Sequence, residues 1–110
     1  MDSQQRKVGE NEALYRAVNE RVEALSTAFG TITDTVTVIC ECGDLSCSEQ
    51  IVLPVTDYER IRADPTLFIL LPGHLNADVE AVVEQHDGFE VVRKRPGEPA
   101  ELARARDPRA

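Results

Sequence analysis

The chain has 110 residues, 42% of them hydrophobic and 5% aromatic, with no Trp and a formal net charge of −8. That length suits one domain with a thin core of Val, Ile, Leu and Ala, which a metal staple would supplement. Residues 1–92 hold 6 basic and 17 acidic side chains (net −11) and residues 93–110 are net +3, so the folded body is not expected to bind nucleic acid.

Residues 1–9 are polar, lack the apolar core of a signal peptide, and read as a loose terminus. No apolar run reaches membrane-spanning length. The expected location is the cytoplasm, where thiols stay reduced and clustered cysteines are metal ligands or catalytic groups more often than disulfides.

Asn11 to Phe29 carries Leu14, Val18, Val22, Leu25 and Phe29 at helical spacing, with Asn11 as N-cap and Gly30 just past the end. The preferred reading is a helix that covers the core with this stripe, and Glu12 and Arg16 form an i, i+4 pair on its wet face. The alternative is a dimerisation helix, so a homodimer through residues 11–29 is one expected assembly.

Thr31 to Cys42 is β-branched and reads as a strand with Val36, Val38, Cys40 and Cys42 on one face. Gln50 to Val55 forms its partner, with Ile51, Leu53 and Val55 inward. Thr56-Asp57-Tyr58-Glu59 has the form of a capping box opening a short helix with Tyr58, Ile61 and Arg62, which Pro65 ends. First-turn acids complementing the helix dipole account for Asp57 and Glu59 better than a catalytic carboxylate pair does.

Leu67 to Leu71 is an apolar run of strand length, broken by Pro72-Gly73 and followed at once by His74. Over residues 77–86 a helical stripe of Val79, Val82, Val83 and His86 is preferred to a hairpin turning at Asp87-Gly88. Phe89 to Lys94 is a strand in both cases. From Pro96 onward the composition predicts a loose tail, solvated or folded back on the acidic body. The element order predicts a single α+β domain over residues 1–110. It has an antiparallel or mixed sheet of about four strands, with two or three helices on one face.

All three cysteines lie in Cys40-Glu41-Cys42-Gly43-Asp44-Leu45-Ser46-Cys47, the pattern C-x-C-x4-C. Thiolates at this spacing suit tetrahedral zinc, with Gly43 supplying a tight turn. His74 is the first choice of fourth ligand. His86 comes second, and Asp44, Glu49 or a water follow. The expected metal ligands are therefore Cys40, Cys42, Cys47 and His74. An iron–sulfur site is disfavoured by the missing fourth cysteine, and free cysteines filling the core are the remaining alternative. Catalysis by a cysteine is disfavoured because Glu41, Asp44 and Glu49 surround the thiols with negative charge.

Glu41 to Cys47, Thr56 to Pro65 and Pro72-Gly73-His74 resemble a family of small, uncharacterised bacterial proteins, chiefly actinobacterial, with a C-x-C-x4-C motif. The likeness spans residues 10–95. It implies a bacterial cytoplasmic origin and brings no activity. The expected function is a small acidic binding or regulatory module with a structural zinc knuckle, docking on a protein partner. The alternatives are a thiol redox regulator using Cys40, Cys42 and Cys47, and a metal-dependent hydrolase with water in the fourth position.

Overall fold

A computed structural model describes residues 1–28 and 34–109 of the chain. The expected helix-ending Phe29 and Gly30, and the start of the first strand at Thr31, lie outside the described residues. The order is α1 (Ser3–Ala28), β1 (Thr35–Ile39), β2 (Gln50–Pro54), α2 (Val55–Arg62), β3 (Leu67–Leu70), β4 (Glu80–His86), β5 (Phe89–Lys94) and α3 (Glu98–Ala105). This is an α+β fold with two antiparallel sheets: β1 pairs with β2, and β3, β5 and β4 form a second sheet in that order.

Strand β1 meets β2 in the register Val36↔Leu53 and Val38↔Ile51, which points all four apolar side chains inward. The alternation seen in the sequence thus dictates both the pairing and the buried face. Strand β3 is buried at every position, as its unbroken apolar run requires. In α2, Tyr58, Ile61 and Arg62 are buried.

Four expectations are corrected. The segment preferred as a helix is strand β4, joined to β5 by a hairpin in which His86 pairs with Phe89 across Asp87-Gly88. Gly88 takes φ +88, which lets the chain reverse in two residues. A bulge between Val82 and Glu84 breaks the strand period and produces the apparent helical spacing.

The capping box is not used. Helix α2 begins at Val55 with Pro54 in the cap position and no side-chain cap bond, and the Val55 N–H donates to the Asp34 carbonyl.

Both terminal segments carry helix among the described residues, and the C-terminal one takes the folded-back alternative. Helix α1 starts at Ser3, and α3 buries Ala100, Leu102 and Ala103. The two helices pack closely because position 9 is glycine: a Cβ there would sit 2.9 Å from Leu102 Cδ2. Arg109 closes back on the body with bonds to Glu20 and Glu59.

Lastly, α1 does not cover the core with its apolar stripe. Leu14, Val18, Val22 and Leu25 face solvent, and Glu12, Ala13, Arg16 and Asn19 face inward. Glu12 and Arg16 are buried and do not pair with one another. Glu12 accepts from Lys94 Nζ at 2.6 Å, and Arg16 donates to the Pro65 and Ala103 carbonyls. Arg16 also lies 4.6 Å over the Phe68 ring, where a cation gains from the ring's negative face. The helix is held by ionic and hydrogen-bonding groups that the body supplies from residues far along the chain.

Candidate metal centre

The C-x-C-x4-C segment is the loop between β1 and β2, and it also touches the second sheet. The Cys40 N–H donates to the Glu49 carbonyl and closes the loop's base. One residue on, the Glu41 N–H donates to the Ile69 carbonyl, so the chain leaves β2 and lines up beside β3. This switch carries the knuckle across the junction of the two sheets. His74 arrives from the turn after β3, where its N–H donates to the Leu71 carbonyl.

The two segments bring Cys40, Cys42, Cys47 and His74 together. Their ligand atoms all lie within 4.8 Å of one another. His74 Nδ1 is 3.7 Å from Cys40 Sγ and 3.8 Å from Cys47 Sγ. A tetrahedral site with metal–sulfur bonds of about 2.3 Å and a metal–nitrogen bond of about 2.1 Å has sulfur–nitrogen edges of about 3.6 Å. The four side chains are therefore close enough to bind one metal ion. Cys40 and Cys42 are buried, Cys47 is half-buried and His74 is exposed, so the centre has a sealed side and an open side.

Backbone donors address the sulfurs. The Leu71 N–H points at Cys40 Sγ at 3.3 Å. Burial pushes the Cys40 thiol up to about 12, with the neighbouring Cys42 and Cys47 adding to the rise, and the Leu71 N–H opposes it. Burial also raises Cys42, against the Asp44 N–H. Without a cation these thiols hold their protons. A divalent ion reverses the balance, because the metal-bound form is the thiolate.

The other ligands considered are placed elsewhere. His86 stacks on Phe89 with centroids 4.5 Å apart and meets Glu84 at 2.7 Å. Asp44 is occupied in a local turn, accepting from the Ser46 N–H and hydroxyl. Those two bonds hold its carboxyl below the usual range. Glu49 is exposed at the far base of the loop.

Glu41 corrects the sequence-based picture of a thiol ringed by carboxylates. Strand alternation turns its side chain away from Cys40 and Cys42 and into the core, where it is fully buried. It accepts from Arg62 Nη2 at 2.8 Å, Asn19 Nδ2 at 2.7 Å and the Ile69 N–H at 3.0 Å. One carboxylate thereby fastens the knuckle to α2, α1 and β3. Asn19 doubles the tie to α1 by accepting from the Ile39 N–H and donating to its carbonyl.

Gly43 supplies the closest approach to α1. It takes φ +78, and a Cβ would lie 2.7 Å from both the Val8 carbonyl oxygen and Glu12 Cγ. Asn11 Nδ2 donates to the Gly43 carbonyl at 3.3 Å. Sequence reasoning found the glycine and missed its neighbour, because the contact joins residues more than 30 positions apart.

No protein-family profile matches the chain, and no curated protein or solved structure matches it at a significant level. Among the described residues, no helix is long and apolar enough to cross a membrane.

Proposed function

We propose that this protein is a zinc-stapled, non-catalytic binding module that docks on a protein partner. The observation that carries the metal is the convergence of three sulfurs and one imidazole nitrogen within 4.8 Å, drawn from loops of two different sheets. Three thiolates and an imidazole are a zinc set, and zinc in such a set closes its coordination with protein atoms alone. Calcium and magnesium require oxygen ligands, and a four-iron cluster requires a fourth thiolate. The two sheets meet where the ligands meet, so the ion would act as a cross-link between them.

The surroundings favour a structural role over hydrolysis. Glu41, the carboxylate adjacent in sequence to two ligands, is engaged by Arg62, Asn19 and Ile69. Asp44 is held by Ser46. Neither is placed as a general base for a metal-bound water. The docking reading draws on the exposed apolar stripe of α1.

The test is metal content in protein purified without chelator. One equivalent of zinc per chain is expected, falling in a His74→Ala variant. Cobalt substitution should give the intense visible bands of a tetrahedral thiolate site. Less than half an equivalent of metal, or a six-coordinate cobalt spectrum, overturns the reading.

A second reading, disulfide exchange among the three cysteines, draws on the same closeness of the sulfurs. Mild peroxide separates the two. A zinc-bound knuckle releases its ion stoichiometrically with oxidation, whereas a redox switch forms its disulfide in metal-free protein and reverses with thiol.

A further inference from the structure

Helix α1 is docked with its amphipathic faces inverted. At 100° per residue, Leu14, Val18, Val22 and Leu25 fall within an arc of about 80°, roughly opposite Glu12, Arg16 and Asn19. The stripe is 57%, 43%, 40% and 50% exposed at its four positions, while the opposite face is buried. A continuous apolar ridge left to water marks an interaction surface.

We propose that a second copy of this chain covers this ridge, the two α1 helices running antiparallel about a two-fold axis near Asn19 and Glu20. The inference rests on the reading of the domain as a binding module and does not depend on the metal.

Three observations select this occupant. A two-fold contact requires a surface that complements itself. The ridge meets that requirement, because inversion about its midpoint carries Leu14 onto Leu25 and Ala17 onto Val22. Val18 is carried onto Arg21, whose aliphatic stem can cover it while the guanidinium stays wet.

Beside the ridge, Ala17, Glu20, Arg21, Ala24, Leu25 and Pro108 line an open groove. The small alanines leave room there for the other helix's Leu14, which arrives at the level of Leu25.

Charge also favours this face. The exposed charged side chains of α1 are Arg6, Lys7 and Arg21, while its acids Glu10, Glu20 and Glu23 are half-buried, on a chain of net charge −8. Two acidic bodies repel least when they meet through their least acidic face.

The seam is about 18 Å long at 1.5 Å per residue. A single helix pair of that length falls short of the roughly 800 Å² per partner of a standard interface, so we expect a dissociation constant of about 1–100 µM.

Sedimentation velocity over about 0.5–500 µM, which brackets that range, is the test. The weight-average mass should rise from that of the 12.2 kDa chain toward twice that value. Leu25→Glu lies on the exposed face and should keep the wild-type circular dichroism. It should raise the dissociation constant more than about 100-fold, because each interface then buries two carboxylates against the other helix's Leu14. A mixture of Leu14→Cys and Leu25→Cys chains should cross-link between positions 14 and 25.

A wild-type chain that stays monomeric at the highest concentration overturns the proposal and leaves the ridge to a different protein. A dimer that survives Leu25→Glu, or cross-links dominated by 14 to 14, also overturns it. Zinc measured on the same samples separates the two claims. A zinc-loaded monomer defeats the dimer alone, and a metal-free dimer supports this inference while defeating only the metal centre.

Discussion

Glu41 and Arg62 form an ion pair at 2.8 Å in which the two side chains retain 0% and 2% of their exposure. The pair joins the knuckle to α2, and the same carboxylate reaches α1 through Asn19 and β3 through the Ile69 N–H. Removing one member leaves the other charged and buried. Glu41→Ala should therefore destabilise the domain by about 3–5 kcal/mol. The double variant Glu41→Met with Arg62→Met should recover most of that loss, because neither charge then remains to be solvated. Urea unfolding at neutral pH, comparing both single variants with the double, measures this directly.

Metal removal should act as denaturation. Binding free energy in a structural zinc site is folding free energy, on the order of 10 kcal/mol. Cys42→Ser should lower the melting temperature by as much as a strong chelator does to the wild type. Adding chelator to the variant should then change nothing further. Parallel thermal melts with and without chelator make the comparison.

Lys94 donates to Glu12 and Glu80, both at 2.6 Å, and all three side chains are buried. Two carboxylates share one ammonium. Burial raises Glu12 well above the ordinary glutamate range, Lys94 opposes the rise, and Glu80 adds to it. A raised carboxyl favours the folded state while it keeps its proton. That contribution is complete below the unfolded pKa of about 4.3, and it is lost as pH rises through the higher folded value. Glu12→Gln mimics the protonated form and should flatten the decline in stability toward alkaline pH. Chemical denaturation across pH 5 to about 9 compares the two slopes.

Gly43 and Gly73 allow a matched pair of substitutions. Both take positive φ, +78 and +85, but a Cβ at Gly73 meets nothing within 4 Å, whereas one at Gly43 lies 2.7 Å from the Val8 carbonyl. Gly73→Ala should cost about 1–2 kcal/mol for the left-handed backbone alone. Gly43→Ala should cost more, because α1 must also move. Equal melting temperatures for the two variants would show that the knuckle does not bear on the helix.

The readable parts of this chain were those in which neighbouring residues determine the outcome. Val36 and Val38 against Ile51 and Leu53 announce a hairpin, Leu67 to Leu70 announces a strand buried on both faces, and Pro72-Gly73 before His74 announces a turn that delivers an imidazole. Periodicity identified the apolar side of α1, but it carries no information about which side the body will meet. That choice was made by Lys94 and Glu41, 82 and 22 positions from their helix partners Glu12 and Asn19. The Val82–Val83 doublet misled for a different reason. A bulge shifts the strand by one residue and imitates a turn of helix. Helix α3 was hidden because Ala100 and Ala103 bury little area and so look unremarkable in a sequence.

The inward face of α1 has one more consequence. Exposing apolar surface raises heat capacity, and exposing polar surface lowers it. Peeling away a helix seated on Glu12, Arg16 and Asn19 should therefore carry a far smaller heat-capacity increment than its 26 residues suggest. Detachment of the helix would follow an almost straight temperature law, while melting of the strands beneath keeps the usual curvature. On cooling, the helix should be the last piece to let go.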